Sequence, residues 1–195
     1  MIDYMMPPVK RGKFKSIGRG CKISQDALII GYENIEIGDN VRIDAGVIIL
    51  ASKGYLKLGS HIHLACGSYF LCGGGIEIQD HCTVSFGSRF VSASDCFDGS
   101  ALIGPNIPEK YTKVSKKPIL MQRLSHVTTG CILLPGSILM EGAVLGASSQ
   151  LRNDQTIPPF SIAFGIPAYP KIKRGRECVQ LALEFEREWN AVPKE

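Results

Sequence analysis

The sequence predicts an all-β protein, a three-sided parallel β-helix with one long excursion loop and a C-terminal α-helix. Three observations lead there. Large apolar residues return every six positions, as in Leu133, Leu139, Leu145 and Leu151. The residue four places after each such position is nearly always small and never charged. This register occupies most of Ile17 to Thr156 in a chain of 195 residues. A period of six belongs to neither an α-helix nor a simple hairpin. One large and one small inward position per hexad describe a short flat strand followed by a tight corner. Three hexads then close a triangular coil of about 18 residues, and stacked coils pair their backbones at about 4.8 Å.

The elements follow in order. Residues 1–16, "MIDYMMPPVKRGKFKS", form an N-terminal segment without the apolar stretch of a signal peptide. The β-helix is expected over residues 17–173. Its large positions run Ile17, Ile23, Ile29, then Ile37, Ile43, Ile49, then Leu58, Leu64, Phe70, then Ile78, Val84, Phe90. After a gap they resume at Met121, Val127, Leu133, Leu139, Leu145 and Leu151. The small positions, among them Cys21, Ser68, Cys82, Ser94, Ser125, Cys131, Ser137 and Ser149, fit where two walls meet. Short breaks near Lys53–Lys57 and Cys72–Ile76 enlarge the third corner. The long break is residues 96–117, "CFDGSALIGPNIPEKYTKVSKK", whose Pro, Gly and charges must leave the wall as an excursion. Loops of that length inside compact domains are usually functional. Residues 174–195 form the C-terminal region. Leu183, Glu186 and Trp189 stand at helical spacing, so a helix is expected over residues 175–190. It would cap the last coil, whose strand edges are otherwise unpaired, or pack on a neighbour.

Composition excludes little but orients the reading. With 45% hydrophobic and 21% charged residues the chain is ordinary globular protein. No run approaches the roughly 20 apolar residues of a membrane span. Seven cysteines lack metal-type spacing, so free thiols and a cytoplasmic setting are expected. A net charge of +4 without a basic, aromatic-interleaved block suits an anionic small molecule at least as well as nucleic acid.

The hexads "IGDNVR" and "LGASSQ" and the ending "IPPFSIAFGIPAYPKIKR" resemble the left-handed β-helix hexapeptide-repeat acyltransferases. Within these the pattern is most similar to sugar O-acetyltransferases of the maltose and galactoside type, including members that modify polysaccharide precursors. The resemblance spans residues 17–173. It implies a left-handed coil, against the usual hand of parallel crossovers. It also implies acetyl-CoA as acyl donor without a metal, a homotrimer, and a sugar or nucleotide-sugar acceptor. The implied activity is acetyl transfer to a sugar hydroxyl in polysaccharide or glycan biosynthesis, with the long loop reaching toward the neighbouring subunit.

Acyl transfer to a hydroxyl needs a general base and donors for the oxyanion. The register places His63 and His126 at outward sixth positions of the same corner, with Arg42 and Thr83. Two coils separate them, about 10 Å, so at most one is the base. His61 and His81 fall at fourth positions. Maltose-type enzymes carry their catalytic His where "VSASDCFDG" puts Asp95, so here Asp95 is expected to orient a His or to bind sugar. His63, in "GSHIHLACG", is the expected base. His126 stands where those enzymes carry a Trp, as a contact to the acyl-pantetheine arm or as the base itself. The resemblance sets coenzyme A along the last coils, near Gly130, Gly146, Ala147, Ser149 and Gly165, with Lys171, Lys173 and Arg174 on its phosphates. Arg42, Ser94 and Tyr111 are acceptor-site candidates.

Three other readings stay open. An N-acyltransferase acting on an amino sugar is the nearest competitor. A non-catalytic β-helix would serve as scaffold or sugar-binding module. A γ-type carbonic anhydrase needs three His on zinc, and the side chains of His61 and His63 diverge.

Overall fold

The computed structural model describes residues 12–191; residues 1–11 of the expected N-terminal segment and 192–195 of the tail lie outside them. The hexads build three walls. The first stacks seven strands from Ser16–Ile17 to Thr156–Ile157. The second climbs from Lys22–Ile23 through Arg42–Ile43, His63–Leu64, Thr83–Val84, His126–Val127 and Val144–Leu145 to Ser161–Gly165. The third stacks six strands from Leu28–Ile30 to Gln150–Leu151. Each wall is parallel and in register. In the second, Ile23, Ile43, Leu64, Val84, Val127, Leu145 and Ala163 lie one above another, all buried. In the third, Phe70 and Phe90 stack with ring centroids 4.9 Å apart. Of the large hexad positions named above, Ile17 alone is only partly buried.

The corners explain the fourth hexad position. Where the first wall turns into the second, Gly20, Asn40, His61, His81, Leu124, Gly142 and Phe160 all have φ between 48° and 68°. A left-handed residue reverses the chain in one step, which Gly and Asn adopt readily and other residues only at a cost. His61 and His81 are therefore corner residues. Their rings stack 4.8 Å apart.

Four local features depart from expectation. Tyr32–Asn34 forms a 3-10 turn that widens the third corner in an earlier coil as well, tied to the next coil by Asn34 Nδ2 on the Ala51 carbonyl at 3.0 Å. The excursion leaves before residue 96: Ala93–Asp95 pairs antiparallel with Val114–Lys116, giving the loop a two-stranded stem. Ser94 sits in that stem and is not a corner filler; Ser92 is the last buried residue of the coil. The helix spans Glu177–Ala191 and does not cap the last coil. It lies lengthwise along the corner between the first and second walls. Arg176 covers the Phe160 ring, His81 and Arg123 bond Glu186, and Arg19 covers Trp189. The edge of the second wall is covered instead by the antiparallel strand Ala168–Lys173.

Candidate active site

The second wall carries the outward chemistry. Its register stacks Lys22, Arg42, His63, Thr83 and His126 on successive rungs, so the expected shared column of Arg42, His63, Thr83 and His126 is present, with His63 and His126 two rungs apart. Two residues further along, at the edge leading to the third wall, Ser24, Asp44, Ala65, Ser85 and Thr128 form a parallel column. No member of this column is a candidate from sequence; the register gives its rungs, but not the side-chain contacts that single out Asp44.

Asp44 is its most connected member. One carboxylate oxygen accepts from Arg42 Nε at 2.6 Å, and the other lies 2.8 Å from His63 Nε2. Burial alone would raise this carboxyl; the hydrogen bonds to His63 and Arg42 outweigh it and hold the group below the usual carboxylate range. The carboxylate beside His63 is thus Asp44 within the chain; of the two roles expected for Asp95, orienting a His or binding sugar, the first falls to Asp44 within one chain. Asp95 lies in the excursion stem, past the far edge of the third wall. The strand Arg89–Val91 separates it from Ser85. Ser94 and Tyr111 belong to the same excursion, Tyr111 exposed at its 3-10 turn under Lys110.

His126 has a different environment. Burial and then the neighbouring Arg174 push its imidazole down to about 4. A ring neutral throughout the physiological range can accept or donate a hydrogen bond, but it holds a proton weakly.

The donor-side residues divide. Lys171, Lys173 and Arg174 do converge, with Arg176, around a hollow of about 540 Å³ beside Pro158, Phe160 and Pro170. Arg174, however, spends Nη1 on the carbonyls of Leu124 at 2.8 Å and Gly142 at 2.9 Å, bracing the left-handed corner. Gly130 and Ala147 are exposed at the edge between the second and third walls. Gly146 is buried, and a Cβ there would stand 2.1 Å from the Phe164 ring. Ser149 is buried and accepts from the Gly165 amide at 3.0 Å, so those two serve the end of the helix. Among the described residues no group of three His, Cys, Asp or Glu side chains could hold a metal, and no helix is long and apolar enough to cross a membrane.

No protein-family model matches the sequence. The chain is 33% identical over 180 residues to dTDP-4-amino-4,6-dideoxy-D-glucose acyltransferase from Escherichia coli, covering 91% of this chain and 92% of that protein. It is 27% identical over 157 residues, 76% of this chain and 73% of that protein, to the lipopolysaccharide biosynthesis O-acetyl transferase WbbJ of Escherichia coli strain K12. Among solved structures it matches AntD, an N-acyltransferase from Bacillus cereus in complex with dTDP and 3-hydroxybutyryl-CoA. The TM-score is 0.89 at 30% identity, over 98% of this chain and 100% of that one. Variants of AntD replace a serine and, ten positions later, an aspartate. The solenoid is the left-handed one that the resemblance implied. The chain belongs to the hexapeptide-repeat sugar acyltransferases.

Proposed function

We propose that this chain transfers an acyl group from an acyl-CoA to the amine of a nucleotide-linked amino sugar, of the dTDP-4-amino-4,6-dideoxyglucose class. Acetyl transfer to a hydroxyl, which the motifs alone suggested, becomes the second reading, supported by the more distant likeness to WbbJ. One observation carries the preference. Ser85 and Asp95 stand ten positions apart in this chain, the separation of the serine and aspartate replaced in AntD. The maltose-type pattern, with a His at the position of Asp95, fits less well.

The chemistry supports the same choice. A sugar amine arrives largely as ammonium, which a carboxylate attracts, so Asp95 is suited to hold the acceptor nitrogen. The Ser85 hydroxyl is suited to donate to the thioester oxygen as charge develops there. His63, one rung from Thr83 and two residues short of the edge that carries Ser85, is suited to take a proton that nitrogen loses as it attacks. Ser85 and Asp95 flank opposite edges of the third wall, so one reacting centre needs Ser85 from one subunit and Asp95 from the next. This reading makes the protein a homotrimer with three shared sites. Coenzyme A would follow the exposed edge at Gly130 and Ala147 toward Lys171 and Lys173.

The test is a side-by-side assay of free-thiol release from acetyl-CoA and 3-hydroxybutyryl-CoA. The acceptors are dTDP-4-amino-4,6-dideoxyglucose and its 4-hydroxyl counterpart. Release should require the amine, and the product should be an amide that resists hydroxylamine. A hydroxylamine-labile product from the hydroxyl sugar would favour O-acylation; no release with either would reject the reading.

A further inference from the structure

The contact between Asp44 and His63 joins neighbouring coils, and its geometry fixes more than a distance. The Asp44 side chain is 10% exposed and that of His63 35%, so a buried acid supports a half-open imidazole. We propose that Asp44 is the positioning residue of the acceptor site: it locks His63 in the tautomer that carries hydrogen on Nε2 and offers the Nδ1 lone pair outward.

An ionised carboxylate only accepts, and a guanidinium only donates. Arg42 Nε therefore gives its hydrogen to one oxygen of Asp44, and His63 Nε2 must give one to the other. In the neutral ring Nδ1 is then bare, and it has no hydrogen-bond partner among the described residues. The groups facing the ring are Arg42 and Asp44 in the coil before and Thr83 in the coil after, with Lys22 and His126 two rungs away on either side.

This role rests on the proposed amine transfer. The ammonium form first gives its extra proton to solvent. As the free amine nitrogen then bonds to the thioester carbon, one of its two remaining protons passes to Nδ1 and the carbon–sulfur bond breaks. The imidazolium then returns that proton to the departing thiolate, leaving an amide and free coenzyme A. A ring of the other tautomer has hydrogen where the lone pair is needed.

The substitution D44N makes the inference sharp. Arg42 Nε still demands an oxygen, so the new amide must turn its NH2 toward His63 Nε2. That forces the lone pair to Nε2 and the hydrogen to Nδ1. Nitrogen-15 NMR of His-labelled protein, recorded without any substrate, should show hydrogen on Nε2 in the wild type and on Nδ1 in D44N. With an amine acceptor, kcat of D44N should fall about 100-fold. The KM for acyl-CoA should hold, and D44E should recover part of the loss. Hydrogen on Nδ1 in the wild type, or a D44N enzyme with unchanged kcat, overturns the proposal. The wild-type tautomer needs no variant to fold. If it is as stated but no acceptor is acylated, the function is wrong and the positioning contact stands.

Discussion

At the residue scale, His63 stands on the rung after Arg42 and its Nε2 lies 2.8 Å from Asp44. The hexad register assigns every side chain a wall, a rung and a facing, so the column of Arg42, His63 and His126 follows from counting. A contact between residues 19 apart, closed only by the length of one particular coil, does not. His126 shows the same limit, because its neighbour Arg174 comes from beyond the repeat. Its environment makes a testable difference to stability. The ring's folded value is about 4, below its ordinary value of 6.5, so between these the unfolded chain binds a proton that the folded one does not. Stability should fall as pH drops from about 6.5 toward about 4. Denaturant midpoints measured across that window should fall less steeply for His126→Gln. Parallel slopes would mean the ring is not held neutral. The basic residues divide in a second experiment. Lys171→Ala with Lys173→Ala should raise the KM for acyl-CoA with the melting temperature nearly unchanged. Arg174→Ala should lower the melting temperature, because two corner carbonyls lose their donor. A melting temperature that does not move would reassign Arg174 to the ligand.

Elements were predicted well where the repeat is local and poorly where partners come from several coils. Strand, corner and wall assignments need only the six-residue period, and the structure keeps it past Leu151 to Ile157 and Ala163. The helix was recognisable from its spacing, but not its berth. The corner that receives it consists of Gly20, His61, His81 and Phe160, spread over several coils. Gly146 likewise reads as a ligand contact until Phe164 is seen lying over it. G146A should destabilise the protein by about 1–3 kcal/mol through overpacking. The second substitution Phe164→Leu should relieve much of that cost, as a double-mutant cycle of chemical denaturation would report. Additive losses would show that the ring moves freely and that the glycine serves something else.

The whole molecule turns one sequence regularity into a division of labour. Each wall is one strand wide, and Arg89–Val91 lies between Ser85 and Asp95, the observation on which the proposed two-subunit site rests. Apolar side chains at the loop's exposed tip, Phe97, Leu102 and Ile103, suit contact with a second copy of the chain. The central claim is that acyl transfer occurs where two chains meet, with Ser85 from one and Asp95 from the next. Mixed trimers test it most directly. S85A and D95A homotrimers should each lose about 100-fold or more in kcat. Unfolding them together and refolding at equal amounts should restore about a quarter of the wild-type sites, those pairing the intact Ser85 of one variant with the intact Asp95 of the other. Activity of the mixture that stays at the mean of the two parents would contradict the shared site, and with it this account of the fold's purpose.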